Sequence, residues 1–103
     1  MPIKEFESFL RQNVPMIDFS GLSIVHLDYE KCIVKMPFTP QNKNHLQSMY
    51  LGSIIIGTEV SAGILAAYQL KHDKQDSSII FKNVAGDFIR RSESDTYFIC
   101  MDS

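Results

Sequence analysis

The chain of 103 residues lacks tryptophan and has only two cysteines, Cys32 and Cys100, far apart in the sequence. It has no CxxC pair, and no histidine stands at metal-ligand spacing from either cysteine, so neither a disulfide framework nor a zinc site is indicated. An excess of basic residues is also lacking, because ten lysines and arginines face twelve acidic residues. Such a balance gives no positive electrostatic potential that would bind the phosphates of a nucleic acid. We therefore expect reduced thiols and no nucleic acid partner.

The N-terminal segment MPIKEFESFLRQ lacks the apolar core of a secretory leader, since charges run through its whole length, and we expect a cytoplasmic protein. Residues 51–70 approach the length of a membrane span. This stretch nevertheless holds Glu59, several hydroxyl side chains and three of the chain's five glycines. Because a charge at mid-span is costly in lipid, we expect no membrane partner and a helix buried on nearly all sides by protein.

Hydrophobic spacing predicts one domain over residues 1–103, with the element order helix, two strands, long helix, two strands. A short amphipathic helix covers IKEFESFLRQ and ends at Pro15. The segments FSGLSIVHL and KCIVKMPF form a hairpin around a tight Asp-Tyr-Glu turn. Ser48 is placed to cap the long helix, and Lys71 and His72 suit its last turn. The segments IIFKNVAGDFIR and TYFICM supply the last two strands.

An antiparallel sheet wrapped around one long, glycine-containing helix is the α+β arrangement of the hotdog fold. The spacing of Asn44, Gly52 and Glu59 resembles the core signature of hotdog acyl-CoA thioesterases of the phenylacetate-pathway type. Those enzymes commonly show an asparagine, a His-Gly-Gly at the helix start, and an acidic residue two turns on. The stretch GDFIRRSESDTYFIC is similar to their next segment, where a Phe-Leu-Arg-Pro run ends one strand and a Gly-Asp pair opens another. The resemblance covers about residues 42–100.

The sequence departs from that pattern in three ways. Tyr50 and Leu51 stand where many members have histidine and the first glycine, which leaves the substrate class open. Arg91 replaces the proline, and Ser94 precedes Asp95 where the family has Gly-Asp. Hotdog chains usually continue for two more strands, so the sequence corresponds to a shortened protein or to part of a longer one.

The resemblance implies thioester hydrolysis by a homodimer or a higher even oligomer such as a tetramer, with no cofactor apart from the coenzyme A of the substrate. The Leu51 and Gly52 amides at the helix start would polarise the thioester carbonyl. Glu59 lies about 10 Å farther along its own helix, so it would act as the base in a neighbouring subunit's site. Asn44 would orient the attacking water or the substrate.

Other residues are candidates for contacts to the substrate: Tyr50, Leu51, His45, Gly63, Arg90 and Arg91, the two arginines facing the phosphates of coenzyme A. Each assignment has a structural alternative, because a carboxylate can be held by backbone partners, an asparagine can shape a turn, and glycines can serve helix packing. Two other functions also stay open. The chain could be a hotdog domain that binds an acyl ligand or only dimerises, or a hotdog dehydratase, although no histidine-plus-acid pair stands at the helix start.

Overall fold

A computed structural model of the chain describes residues 3–73 and 92–101. Its elements follow one another as α1 (Ile3–Asn13), α2 (Pro15–Ser20), β1 (Ser23–Leu27), β2 (Lys31–Met36), a short 3-10 helix (Pro40–Asn42), α3 (Leu51–His72) and β3 (Thr96–Met101). The amphipathic first helix, the hairpin, the long helix and the strand TYFICM are confirmed. The strand predicted at IIFKNVAGDFIR lies outside the described residues.

The chain between α1 and β1 differs from its prediction. Pro15 does not simply end a helix, because it also opens α2, where a proline at the first helical position loses no hydrogen bond. The strand predicted to begin at Phe19 begins instead at Ser23. Gly21, with a φ of 76°, ends α2 in the left-handed conformation that favours glycine, and this turn redirects the chain into the sheet.

The sheet has the order β1-β2-β3, and both pairs of strands are antiparallel. Cys32, Val34 and Met36 alternate along β2 and have no exposed surface, which confirms the predicted inward face. Phe38 follows the strand and packs half-buried against this core. A register shift in β1 leaves Val25 as an exposed extra residue, as in a β-bulge.

Helix α3 packs against β2 and β3 and touches α2. Its buried residues are Ser53, Gly57, Ser61, Ile64 and Leu65. By length and composition it is long and apolar enough to cross a membrane, a test that the core helices of soluble proteins also pass, and 28% of its most apolar window is buried. The described elements of the single chain bury one face of the helix most fully, and the expectation of burial on nearly all sides stays a prediction that involves a second chain.

Close packing of α3 on the sheet depends on Gly57. A Cβ atom at this position would overlap the ring of Phe98 in β3. We expect Gly57→Ala to lower the free energy of unfolding by about 1 kcal/mol, because overpacking costs more than the gain in helix propensity returns. Urea denaturation measures the change. In a Phe98→Ala background the same substitution should become stabilising, and an equal loss in both backgrounds would show that the ring contact is not the cause.

Candidate active site

The first two backbone amides of α3 have no hydrogen-bond acceptor in the described part of the chain. The next two amides, of Ser53 and Ile54, donate to the Tyr50 carbonyl oxygen at 3.0 and 3.2 Å. Tyr50 is the residue before the helix, and its side chain makes no capping bond. The unpaired Leu51 and Gly52 N–H groups therefore stand at the positive end of a 22-residue helix, where an oxyanion would be stabilised.

The turn before α3 is organised by Asn44. Its Oδ1 atom accepts hydrogen bonds from the Leu46 amide (2.9 Å), the Ser48 amide (3.2 Å) and the Ser48 hydroxyl (3.1 Å). Gln47, at the apex, has a positive φ of 60°. The predicted capping role of Ser48 is wrong, since its hydroxyl is bound to Asn44 and α3 begins three residues later. Among the described residues nothing accepts a hydrogen bond from Asn44 Nδ2, so none of them competes with a ligand for this group.

A second asparagine, Asn42, holds the start of α3 in place. Its side chain is buried, and Nδ2 donates to the carbonyl oxygens of Ser20 (2.7 Å) and Pro37 (3.0 Å). Its Oδ1 accepts from the Ser53 hydroxyl at 2.8 Å, and its carbonyl oxygen accepts from the Tyr50 amide. The sequence analysis missed this residue, because two asparagines in the polar loop PQNKN look alike without the contacts.

The ring of Tyr50 lies beside the unpaired amides. It packs on Gly52, where an added Cβ would lie 2.5 Å from the ring atom Cε2, yet 56% of the tyrosine is exposed. Gly52 thus makes room for an aromatic ring of its own chain. His45 is exposed in the preceding turn, and Gly63 lies in the middle of α3. Arg90 and Arg91 lie outside the described residues.

Glu59 is exposed and has no hydrogen bond or ion pair with any described residue. Seven residues are nearly two full helical turns, so Glu59 lies on the same side of α3 as Gly52 and about 10 Å farther along the axis. The helix face that carries Gly52 and Glu59 is opposite the face that packs on the sheet. Its other members are small or apolar: Ile55, Ala62, Gly63 and Ala66. Within the described chain, no partner supports the structural alternative for this carboxylate.

Asp95, part of the resemblance, has a structural role. Its Oδ1 accepts from the Phe38 amide at 2.7 Å, and its Oδ2 lies 3.4 Å from Lys35 Nζ. The hydrogen bond from the Phe38 amide, and to a smaller extent the nearby Lys35, lower the pKa of this carboxyl below its usual value. Asp95 thereby ties the entry of β3 to the end of β2.

Other features of the described residues lie apart from the helix start. A cavity of about 390 Å³ lies at the other end of α3, between that helix and α1, and is lined by residues that include Phe6, Leu27 and Tyr68. The described residues contain no group of three or more side chains that could hold a metal ion. The candidate site therefore consists of the free amides, Asn44, Tyr50 and Glu59.

Several solved structures are similar to this chain. A protein of unknown function from Chlorobaculum tepidum superposes with a TM-score of 0.89 at 18% identity over 97% of this chain and 61% of its own. A mutant thioesterase from Pseudomonas aeruginosa gives 0.79 at 11% identity, over 98% and 70%. The PaaI protein of the E. coli phenylacetic acid degradation operon gives 0.68 at 17% identity, over 89% and 62%. These similarities confirm the hotdog fold.

No curated protein matches the chain. The chain spans 61% of the Chlorobaculum protein, so it corresponds to part of the length that this neighbour has. Residues 4–98 match a family described as a domain of unknown function, DUF4442, which is nearly the whole chain. The chain has the hotdog fold and belongs to the DUF4442 family.

Proposed function

We propose that this chain hydrolyses an acyl-CoA thioester at a site shared between two copies, using Glu59 as the base. One observation carries the proposal: a carboxylate and two backbone amides, all without a partner among residues 3–73 and 92–101, lie on the same helix face about 10 Å apart. A carbonyl bound at the amides is out of reach of the Glu59 of its own chain. The distance is bridged when a second α3 runs antiparallel to the first.

Two-fold symmetry supports this pairing. A two-fold axis that passes midway between Gly52 and Glu59, near Ile55 and Ile56, brings each glutamate to the opposite helix start. In this arrangement Ile55 lies at the axis and packs against its own counterpart, while Ala62 and Gly63 face the turn before the partner's helix, where small side chains leave room for it. Each site would take its amides from one chain and its carboxylate from the other.

The chemistry follows from these groups. The thioester carbonyl oxygen accepts hydrogen bonds from the Leu51 and Gly52 amides, which stabilise the negative charge that forms on this oxygen. Glu59 of the partner subunit takes a proton from water as the water oxygen attacks the carbonyl carbon. The tetrahedral intermediate then breaks its carbon–sulfur bond, and the protonated Glu59 of the partner subunit returns its proton to the sulfur, so that the carboxylic acid forms and coenzyme A leaves as the thiol. Asn44 Nδ2 orients the water or the acyl group.

Two neighbours bear on the reaction class, and one of them is named for it. One is a mutant thioesterase, and the other belongs to an operon for phenylacetic acid degradation. Both are less than 20% identical to this chain. The proposal therefore rests on the geometry of the candidate site, and the neighbours are consistent with it. An acyl-CoA substrate is consistent with a cytoplasmic location. The proposed hydrolysis uses only protein groups and water, so it requires no metal or bound cofactor.

A panel of acyl-CoA substrates of different length and aromaticity tests the activity. We expect release of free coenzyme A from at least one of them, detected with a thiol reagent. No release from the whole panel by a folded, dimeric sample would overturn the proposal. The second candidate, a hotdog domain that binds acyl groups without hydrolysis, would then be favoured.

The shared site also predicts the assembly. Light scattering after size exclusion at micromolar concentration should give the mass of a dimer or a larger even multiple, because an apolar helix face is otherwise left in water. Ile55→Lys places two like charges opposite each other at the proposed two-fold axis and should shift the mass toward a monomer. Glu30→Lys, in the exposed turn between β1 and β2, is the matched control and should not. A monomeric parent would rule out the shared site.

A further inference from the structure

We propose that Cys32 and Cys100 form an oxidisable dithiol that closes reversibly into a disulfide between β2 and β3. The two residues lie directly opposite each other in the register of these strands. Both side chains are on the inner face of the sheet, where Cys32 is buried and Cys100 is half-buried against the same core. No step of the proposed thioester hydrolysis is needed for this inference.

The strand geometry permits the bond at a small cost. Opposed residues of antiparallel strands have Cα atoms about 4.5–5.5 Å apart, which falls in the range of about 4.4–6.8 Å found for disulfides. Their Cβ atoms are typically about 4.5–5.5 Å apart, whereas a disulfide prefers about 3.8 Å. The strands must therefore approach slightly when the bond forms. A bond closed under such strain is easily reduced again.

The two thiols differ in their exposure to solvent, and this difference determines which of them is oxidised first. Burial, and to a smaller extent the neighbouring Cys100 thiol, raise the pKa of Cys32 to about 12. Because the thiolate is the reactive form, Cys32 is protected from direct oxidation. Cys100 is the thiol that a dissolved oxidant reaches, and Cys32 is held next to it to complete the bond.

A hydroperoxide is the oxidant that we infer. Cys100 Sγ attacks one peroxide oxygen, the O–O bond breaks, and the products are a sulfenic acid on Cys100 and one water or alcohol. Cys32 Sγ then attacks Cys100 Sγ and gives up its proton. The S–S bond forms, the S–O bond breaks, and hydroxide leaves as water with that proton. Two thiols are oxidised in total, and one peroxide is reduced.

Intact mass spectrometry of the native protein treated with hydrogen peroxide tests the proposal. We expect the mass of one chain less two hydrogen atoms, no remaining alkylatable thiol, and full recovery with dithiothreitol. Since the sequence has only two cysteines, any disulfide within a chain joins this pair. A disulfide-linked dimer, sulfinic acid on Cys100 without loss of hydrogen, or a disulfide that forms only in urea would each overturn it.

Two variants check the order of the steps. Cys32→Ala should leave a sulfenic acid on Cys100, which dimedone traps as a stable adduct. Cys100→Ala should resist the same peroxide concentration, because the remaining thiol is buried. Equal oxidation of Cys32 in this second variant would contradict the assigned order. If either substitution prevents folding, the parent protein still decides the matter through its mass and its reversal by dithiothreitol.

Discussion

Replacing Glu59 by glutamine should reduce acyl-CoA hydrolysis by about 10²-fold or more while the dimer and its melting temperature change little. Glutamine keeps the size of the side chain but cannot accept a proton from water at neutral pH. Glu59 is exposed and bonded to no described residue of its own chain, so no contact that the single chain uses for folding is lost. The loss should therefore fall on kcat rather than on stability.

Glu30→Gln is the control for this experiment. Glu30 is also exposed and lies in the turn between β1 and β2, far from the start of α3 in the sequence. Its removal changes the net charge by the same amount and should leave hydrolysis at the parent rate. If the Glu59 variant hydrolyses as fast as the parent, the carboxylate is not the base. If it fails to dimerise or melts much earlier, Glu59 has a structural role at the interface instead.

Asn42→Ala should lower the free energy of unfolding by about 3 kcal/mol, the largest stability effect that we expect from one substitution at this site. Removal of the amide leaves the Ser20 and Pro37 carbonyl oxygens and the Ser53 hydroxyl without their partner. Each buried polar group that loses its partner costs about 1–3 kcal/mol, and such costs are not fully additive. Chemical denaturation with urea measures the loss.

A matched asparagine elsewhere separates this effect from a general loss of amide groups. Asn13 is exposed and donates one hydrogen bond, to the Phe9 carbonyl at 2.8 Å. Asn13→Ala should change stability by less than about 1 kcal/mol. An equally small effect at Asn42 would mean that water replaces the lost amide, and that Asn42 does not hold the start of α3.

The sequence predicted those features that repeat along the chain. Alternation along β2 identified the strand, because burial of one face imposes a period of two on the residues. The length of the apolar run, rather than a period, identified α3. The prediction failed between Phe19 and Leu22, where apolar residues fit a strand or a short helix equally well. Gly21 in the left-handed conformation decides the outcome there, and glycine alone does not reveal its φ.

Contacts between distant residues could not be predicted in the same way. Nothing in the sequence indicates that Cys32 lies opposite Cys100, because strand register depends on the whole sheet. The same limit applies to Asn42, whose partners come from α2, the end of β2 and α3. The site prediction needs less of this information, since Asn44, Gly52 and Glu59 lie along a turn and one continuous helix, and their roles stay predictions.

The sheet-facing side of the first half of α3 has an unusual composition. Serine and glycine at positions 53, 57 and 61 face inward, while Ile54, Ile55, Ile56 and Val60 stay only half-buried. Ile54, Ile56 and Val60 already pack against the core, and in the proposed dimer Ile55 and Ile56, near the two-fold axis, lose their remaining contact with water on association. Subunit binding then stabilises the fold by mass action, so the melting temperature should rise with protein concentration, and dilution alone should favour unfolding.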